Sequence, residues 1–203
     1  MMAPLLVTLG YLVGSVPFAF LITRASGRVD IRNLGSGNVG AANVLRVAGS
    51  RAALMTALFD IAKGALVVLG ARALGASPGV CASVGCAAVG GHIYPVWLKF
   101  RGGKGVATTC GAFAVLAPLA TLLAAVLFAA VLRATRRVSL GSITAAISLG
   151  PLAYAVGTPD TAVRAAFFSG CLVLFNHRSN LIRLAGGTEA RLGDHAPPGG
   201  ETS

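Results

Sequence analysis

The sequence predicts an all-α integral membrane protein with seven transmembrane helices, its N-terminus outside and its C-terminus in the cytoplasm. Hydrophobic residues make up 55% of the 203 residues and charged residues only 11%. The mean hydropathy is +0.78, which is far from that of a soluble domain. At about 20 residues per crossing, the chain has room for six or seven helices and little else. Basic residues cluster between the apolar segments, and these clusters give the orientation.

Five apolar segments come close to the length of one membrane crossing. They cover residues 4–22, 52–73, 80–98, 139–156 and 161–176. The N-terminus has no Lys or Arg before its apolar run and several arginines after it, so the first segment is predicted to be a retained span rather than a secretory signal. Turns rich in Gly and Pro at 75–79 and 157–160 separate the later segments.

Residues 105–133 are too long for one crossing and too short for two full ones, at about 1.5 Å per residue. Pro118 lies near the middle of this stretch and marks either a turn or a kink. Fourteen of the seventeen basic residues fall into four clusters, at 24–51, 99–104, 133–137 and from 178 onward. Lys and Arg accumulate on the cytoplasmic side of short loops, so all four clusters are predicted to be cytoplasmic. Residues 105–133 must then cross twice, as a hairpin of short helices.

Residues 1–190 are predicted to form a single transmembrane domain, and the polar residues 191–203 a disordered cytoplasmic tail. The net charge of +11 is interpreted as a topology signal, not as a nucleic-acid footprint, because the basic residues alternate with membrane spans. The four cysteines lie within apolar runs without C-x-x-C spacing, which favours small core residues over zinc ligands or disulfides.

Most of the polar chemistry lies in three segments, 35–46, 91–108 and 176–189, each at one end of an apolar stretch. Basic and amide side chains among glycines are costly there unless they face water or a polar ligand. Glycines let successive backbone N–H groups turn toward one anion, and a following helix N-terminus adds positive potential. The side-chain donors suited to phosphate oxygens are Ser36, Asn38, Asn43, Arg46 and Lys104. The sequence therefore predicts an anion site at the cytoplasmic face.

Two nucleotide-binding motifs match only in their letters. Gly35-x-Gly37-x-x-Gly40 has the spacing of a dinucleotide fingerprint, but an apolar helix precedes it where a strand is needed. Asp60, at the distance of a ribose-binding acid, lies inside the next span. Residues 102–105 lack the earlier glycine of a P-loop and the Ser or Thr that follows its lysine.

Some polar residues have a structural explanation as well as a functional one. His92, close to Pro95, either supports the anion site or only cross-links helices. Asp60 and Lys63, three residues apart on one predicted helix, are expected to neutralise each other within the membrane. The cluster at 133–137 is interpreted as a topology signal. The six carboxylates of the chain are not clustered, so no metal site is predicted.

The three polar segments contain GSGNxGAxNxLR, GHxxPxxxxFRGGKGVAT and HRxNxxRLxxGTE in this order. They resemble the motifs of the acyl-phosphate:glycerol-3-phosphate acyltransferase family, PlsY, and the resemblance covers nearly the whole chain. The family arrangement of seven spans with an outside N-terminus agrees with the one that the charge clusters predict. Two departures are mild: Ala42 stands where threonine is usual and Leu181 where isoleucine is usual. Ala42 removes one hydroxyl from the first loop.

The resemblance implies transfer of a fatty acyl group from acyl phosphate to the sn-1 hydroxyl of glycerol 3-phosphate, giving lysophosphatidic acid and inorganic phosphate for phospholipid biosynthesis. Carried onto this sequence, it implies His177 and Asn180 as catalytic residues. The phosphate-binding residues would be Ser36, Arg46, Lys104 and Ser142. The supporting residues would be Gly35, Gly37, Asn38, Gly40, Asn43, His92, Gly102 and Gly103. The proton acceptor stays open between His177 and the phosphate of the substrate.

The same resemblance implies a multi-pass protein of the bacterial cytoplasmic (inner) membrane whose active site faces the cytoplasm. Its partners would be glycerol 3-phosphate, acyl phosphate and the lipid bilayer, without nucleic acid or an obligate protein partner. An acyl phosphate is already an activated mixed anhydride, so neither a cofactor nor a metal is expected.

Other membrane functions fit the sequence less well. A CDP-alcohol phosphotransferase needs several aspartates around a divalent metal, and this chain lacks them. Acyltransferases with an H-x-x-x-x-D motif are disfavoured because none of the three histidines has Asp five residues later. An anion transporter would have internal repeats and polar residues at the bilayer midplane, whereas here no repeat is evident and the polar chemistry is confined to one face.

Overall fold

The computed structural model describes residues 2–27 and 30–193, and within these ranges it contains α-helices and short 3₁₀ turns but no strand. The helices are α1 (Met2–Gly14), α2 (Phe18–Gly27), α3 (Ala41–Ala73), α4 (Pro78–Ile93), α5 (Val106–Leu116), α6 (Pro118–Thr135), α7 (Val138–Ala155), α8 (Asp160–Asn176) and α9 (Arg178–Ala185). The all-α prediction is thereby confirmed.

Contacts between small residues give the relative directions of the helices. Gly10 faces Val84 and Gly14 faces Ala88, so α1 and α4 run parallel. Helix α8 is parallel to α4, as the pairs Gly79–Thr161 and Cys86–Ala165 show. Helix α5 is antiparallel to α4, with the pairs Gly105–Ile93 and Gly85–Leu116. Helix α7 is antiparallel to α8, with the pairs Gly150–Phe167 and Gly170–Ala146. A two-residue turn reverses the chain between α6 and α7. The main helices therefore alternate in direction along the chain.

The ambiguous stretch 105–133 contains two helices of opposite direction, α5 and α6, as the sequence predicted. Ala117 separates them with non-helical backbone angles (φ −147°, ψ 66°), and Pro118 opens α6. Five segments of the described chain are long and apolar enough to cross a membrane: Met2–Gly27, Ala41–Ala73, Pro78–Leu98, Pro118–Thr135 and Val138–Ala155. Two other helices at predicted crossings are shorter than these segments: α5, with 11 residues, and α8, with 17, which corresponds to the predicted span 161–176. Seven crossings with an outside N-terminus stay a prediction that these alternating directions favour.

Two predicted spans have different boundaries in the structure. The first, expected as 4–22, is broken between α1 and α2, because Pro17 has no N–H with which to continue the helix. At this break the Val16 carbonyl accepts from the Phe18 N–H at 3.2 Å and from Lys63 Nζ at 2.9 Å. The second, expected as 52–73, begins at Ala41 and passes through a kink at Gly49, whose φ of 82° suits only glycine well.

Close helix packing depends on glycines at the α3–α5 contact. A Cβ at Gly64 of α3 would overlap the backbone of Thr108 in α5, whereas Gly70, six residues later on α3, has no atom within 4 Å of such a Cβ. Small residues let helix backbones approach closely, which is a main source of helix association in membranes. We expect Gly64→Ala to lower the melting temperature in detergent by an amount corresponding to about 1–3 kcal/mol. Gly70→Ala is the matched control and should not lower it.

Most of the predicted tail, residues 194–203, lies outside the described residues. Residues 191–193 turn back onto the α6–α7 turn, where the Leu192 N–H donates to the Arg136 carbonyl at 2.5 Å. The Arg136 guanidinium donates in return to the Leu192 carbonyl at 2.9 Å. The start of the tail is therefore attached to the same end of the bundle as α9.

Candidate active site

A cavity of about 840 Å³ lies at the end of the bundle where α4 and α8 finish. These helices run parallel, so the loops after them meet there. Its lining comes from all three polar segments: Arg32, Asn33, Ser36, Gly37, Asn38, Ile93, Tyr94, Leu98, Lys99, Phe100, Arg101, Gly102, Gly103, Lys104, Asn176, Arg178, Ser179 and Arg183. Six of these side chains are Arg or Lys and none is acidic. The lining therefore favours anionic ligands.

The first loop, residues 34–40, is organised by the buried amide of Asn43. Its Oδ1 accepts from the Ser36 N–H at 2.9 Å, and its Nδ2 lies 3.0 Å from the carbonyls of Leu34 and Asn38. Gly35 and Gly37 have φ values of 58° and 67°, which favour glycine. The side-chain amide of Asn43 is thus hydrogen-bonded to backbone groups of the loop. The loop leads directly into the N-terminus of α3 after Gly40.

The second loop folds over the C-terminal end of α4. The Gly102 N–H donates to the Ile93 carbonyl at 3.0 Å, and the Gly103 N–H donates to the His92 carbonyl at 3.1 Å. A Cβ at Gly102 would overlap the His92 carbonyl, and a Cβ at Gly103 would overlap His92 Nε2. Only glycine fits at these two positions with the loop in this place, and Lys104 follows directly.

Lys104 is connected to the third segment by a chain of polar contacts. Its Nζ donates to Asn180 Oδ1 at 2.5 Å, and Asn180 Nδ2 donates to Glu189 Oε1 at 2.7 Å. The other carboxylate oxygen of Glu189 accepts from Arg183 Nε at 2.7 Å. Asn180 and Glu189 are buried, at 3% and 6% exposure. The chain fixes the position of the ammonium group while Lys104 still lines the cavity.

The surroundings of Lys104 and Glu189 shift the pKa values of both side chains. Burial lowers the pKa of Lys104 to about 8, opposed by the charge of Glu189 and reinforced by those of Arg183 and Arg46. Burial would raise the pKa of Glu189, but the nearby Ser139 hydroxyl and the hydrogen bonds from Asn180 and Arg183 hold it below its usual value. At neutral pH, Glu189 is therefore ionised and Lys104 is mostly protonated.

His177 lies between α8 and α9 and is 2% exposed. Its Nδ1 is 2.8 Å from the Val173 carbonyl, which can only accept, so Nδ1 carries the proton and Nε2 is the free basic atom. Burial lowers the pKa of His177 to about 4, and the charge of Lys104 adds to this shift, against the opposing effect of the Val173 contact. The imidazole is neutral at pH 7.

The structure brings most of the predicted site residues to this cavity, but not all of them line it. The lining includes Ser36, Gly37, Asn38, Gly102, Gly103 and Lys104. Gly35, Gly40, Asn43, His92, His177 and Asn180 lie behind it, in the loops or against the lining residues. Arg46 is outside the lining, although its charge reaches Lys104. Ser142 is buried in α7 and donates its hydroxyl to the Val138 carbonyl at 2.9 Å.

Two residues of the site were not predicted from the sequence, Glu189 and Arg183. Glu189 is the acidic residue of the third motif, and its position within an otherwise basic segment was a signal for a paired carboxylate. Their contacts depend on the chain turning back after α9, which local sequence patterns did not indicate.

Comparisons with known proteins agree with the all-helical membrane fold. The family model for glycerol-3-phosphate acyltransferase matches residues 4–187. A glycerol-3-phosphate acyltransferase of Myxococcus xanthus (strain DK1622) is 50% identical over 197 residues, covering 94% of this chain and 100% of that protein. One from Rubrobacter xylanophilus (strain DSM 9941) is 47% identical over 201 residues, covering 98% of this chain and 100% of that protein.

The fold is similar to two crystal structures of PlsY (YgiH), an integral membrane glycerol 3-phosphate acyltransferase. The glycerol 3-phosphate form has a TM-score of 0.89 and 38% identity, covering 95% of this chain and 96% of that one. The lysophosphatidic acid form has a TM-score of 0.87 and 36% identity, covering 94% and 95%. Because the family model and full-length relatives cover nearly the whole sequence, the chain belongs to the glycerol-3-phosphate acyltransferase family.

Proposed function

We propose that this protein transfers a fatty acyl group from acyl phosphate to the sn-1 hydroxyl of glycerol 3-phosphate at the cytoplasmic face of a bacterial inner membrane. The observation that carries the proposal is the cavity of about 840 Å³ with six basic side chains and no acidic one in its lining. Both substrates of this reaction carry phosphate, and the space fits the usual volume of a ligand pocket. The similarity to PlsY in its glycerol 3-phosphate and lysophosphatidic acid forms supports the acceptor and the product class.

In this reaction the sn-1 hydroxyl oxygen attacks the acyl carbonyl carbon, and the bond from that carbon to the phosphate oxygen breaks. Inorganic phosphate leaves with the bonding electron pair. The ammonium of Lys104, held by Asn180, would balance charge on a phosphate or on the developing oxyanion. Ser36 and the backbone of the glycine loops would orient the two phosphates close together, which removes much of the entropic barrier.

The hydroxyl proton is assigned to the phosphate of the acyl donor. A histidine with a pKa of about 4 is a weak base at neutral pH, whereas a phosphate dianion is a stronger one and is already at the reacting bond. His177, which lies behind the lining as a neutral imidazole, then does not act as the base. No cofactor or metal is required in this scheme.

The test is phosphate release by purified protein in lipid or mild detergent, from palmitoyl phosphate with and without glycerol 3-phosphate. Palmitoyl-CoA is run in parallel with thiol detection. Release that depends on glycerol 3-phosphate, persists with a chelator and leaves the thioester intact supports the proposal. Reaction of the thioester alone would show that the donor is wrong. If neither donor reacts, the next measurement is anion flux in liposomes.

The lowered pKa of Lys104 predicts a basic limb in the pH profile. Because the ammonium is lost as the pH rises through about 8, we expect kcat/KM for glycerol 3-phosphate to fall above that pH in the wild type. Lys104→Arg keeps the charge at all accessible pH values, so its profile should show no such limb, whatever its absolute rate. Identical profiles for the two proteins would contradict the role of the Lys104 charge.

A further inference from the structure

A pair of charged residues is buried in the membrane-spanning part of α3. Asp60 and Lys63 are 2% and 4% exposed, and Lys63 Nζ lies 2.7 Å from Asp60 Oδ1. The same ammonium donates to the Val16 carbonyl at the break between α1 and α2, at 2.9 Å. It also lies 5.6 Å from the ring centroid of Phe18. The proposed reaction scheme uses neither residue of this pair.

His92 connects this pair to the lysine loop. Its Nδ1 is 3.5 Å from Asp60 Oδ1. On the opposite edge of the ring, Nε2 occupies the space that a Cβ of Gly103 would need. The His92 carbonyl accepts from the Gly103 N–H at 3.1 Å, and Lys104 is the next residue. A continuous set of contacts thus leads from the ion pair to the ammonium at the cavity.

Stability alone gives no clear reason for such a pair. Ionisable groups in the bilayer carry a large desolvation penalty, and apolar residues of similar volume often replace buried ion pairs without loss of stability. Direct contact with substrate is also unsuitable as an explanation, because the void beside the pair is only about 10 Å³. That volume is barely enough for one water molecule and far below that of a phosphate. A role in holding geometry remains.

We propose that Asp60, Lys63 and His92 are positioning residues that fix the Gly102–Gly103 turn and thereby place Lys104 for catalysis. The ion pair holds Asp60 Oδ1 in place, and this oxygen orients the His92 ring. The Nε2 edge of the ring in turn packs against Gly103. The three residues do not touch substrate and act only through Lys104. The inference rests on the proposed function, since it concerns the same reaction.

The first test compares two double variants that both remove both charges. Asp60→Asn/Lys63→Met keeps an oxygen that can accept from His92 Nδ1, whereas Asp60→Leu/Lys63→Met does not. Removing both charges together avoids an uncompensated buried charge. We expect the Leu variant to have a kcat at least tenfold below that of the Asn variant, with KM for glycerol 3-phosphate within threefold. Equal kcat values in the two folded variants would overturn the proposal.

The second test approaches from the loop side and decides the matter if the Leu variant does not fold. His92→Gln keeps an amide near the position of Nε2, next to Gly103, and His92→Leu removes it, while Asp60 keeps Lys63 as its partner in both. We expect His92→Leu to reduce kcat at least tenfold relative to His92→Gln. In a Lys104→Met background this difference should shrink to less than threefold. A tenfold difference that persists without the lysine ammonium would overturn action through Lys104.

A control variant separates these effects from general disturbance of α3. Thr56 is fully buried one helical turn before Asp60, and its hydroxyl donates to the Ala52 carbonyl within the same helix at 2.8 Å. Thr56→Val should leave kcat within twofold. The two hypotheses also fail in different ways. Wild-type protein that does not turn over palmitoyl phosphate with glycerol 3-phosphate contradicts the proposed function, whereas active wild type with equally active variants contradicts only the positioning network.

Discussion

Lys104→Ala should reduce turnover of glycerol 3-phosphate by about 10³-fold while the protein stays folded in detergent. Loss of a single donor to a developing oxyanion typically reduces kcat by about 10²–10³-fold, and here the donor also carries a charge. In this structure the ammonium lies 2.5 Å from Asn180 Oδ1 and lines a cavity without acidic residues. The cavity offers other cations, but the buried contacts of the chain Lys104–Asn180–Glu189 hold this ammonium in a fixed position.

Neutralising Lys104 should not lower stability. Burial places the pKa of Lys104 near 8, below its ordinary value of 10.5 in the unfolded chain, so at pH 7 the fold holds this charge at a disadvantage. Removing the charge takes away that disadvantage, and the melting temperature of Lys104→Met should equal or exceed that of the wild type at pH 7. The part of the difference that comes from the charge should shrink as the pH rises above about 8 and should vanish above 10.5, where the lysine is neutral in both states.

Arg133→Ala is the matched control for the loss of a cation. Arg133 lies at the end of α6 and outside the cavity lining, so its removal should change turnover by less than threefold. Retained activity in Lys104→Ala would remove Lys104 from the site. Equal losses in both variants would show that the total positive charge matters, not the position of one ammonium.

The sequence was sufficient to predict the helical fold because its signals are local. Apolar length and the position of basic clusters predicted the turn at Pro118 and the opposite directions of α5 and α6, which the packing confirms. The break at Pro17 was not predicted. The contact that follows from it, between the Val16 carbonyl and Lys63, could not be predicted locally because the two residues are distant in the chain. The extension of α3 to Ala41 depends on a single glycine conformation at Gly49, and glycine alone does not predict its own dihedral angles.

The candidate site shows a similar division. Ser36 and Lys104 were indicated by the residues themselves, because glycine loops and basic donors have recognisable composition, whereas Asn180 was implied only by the resemblance of the third motif to the family. The motif letters did not distinguish residues that face the cavity from those that organise it, as the inward amide of Asn43 illustrates. The pairing of Glu189 with Asn180 requires the chain to return after α9, and that return is a tertiary feature.

Asn180→Asp should cause the second large loss of activity, because it replaces the hydrogen-bond donor that faces Glu189 by an acceptor. The Nδ2 donor that now faces Glu189 Oε1 at 2.7 Å would become a carboxylate oxygen facing another carboxylate. We expect a loss of about 2–4 kcal/mol in unfolding free energy from the missing charge-assisted hydrogen bond and the repulsion. Turnover should fall by at least 100-fold, because the new carboxylate would also pair with the Lys104 ammonium.

Adding Glu189→Gln to Asn180→Asp separates the two effects. The new amide at position 189 can donate to the new carboxylate at position 180, so the hydrogen bond returns with its direction reversed, and the net charge of the cluster equals that of the wild type. The melting temperature should therefore recover much of its loss in this double variant. Activity should not recover, because a carboxylate at position 180 still competes with substrate phosphate for Lys104. If activity returned together with stability, Asn180 would be a structural residue only, and the charge available at Lys104 would not limit the reaction.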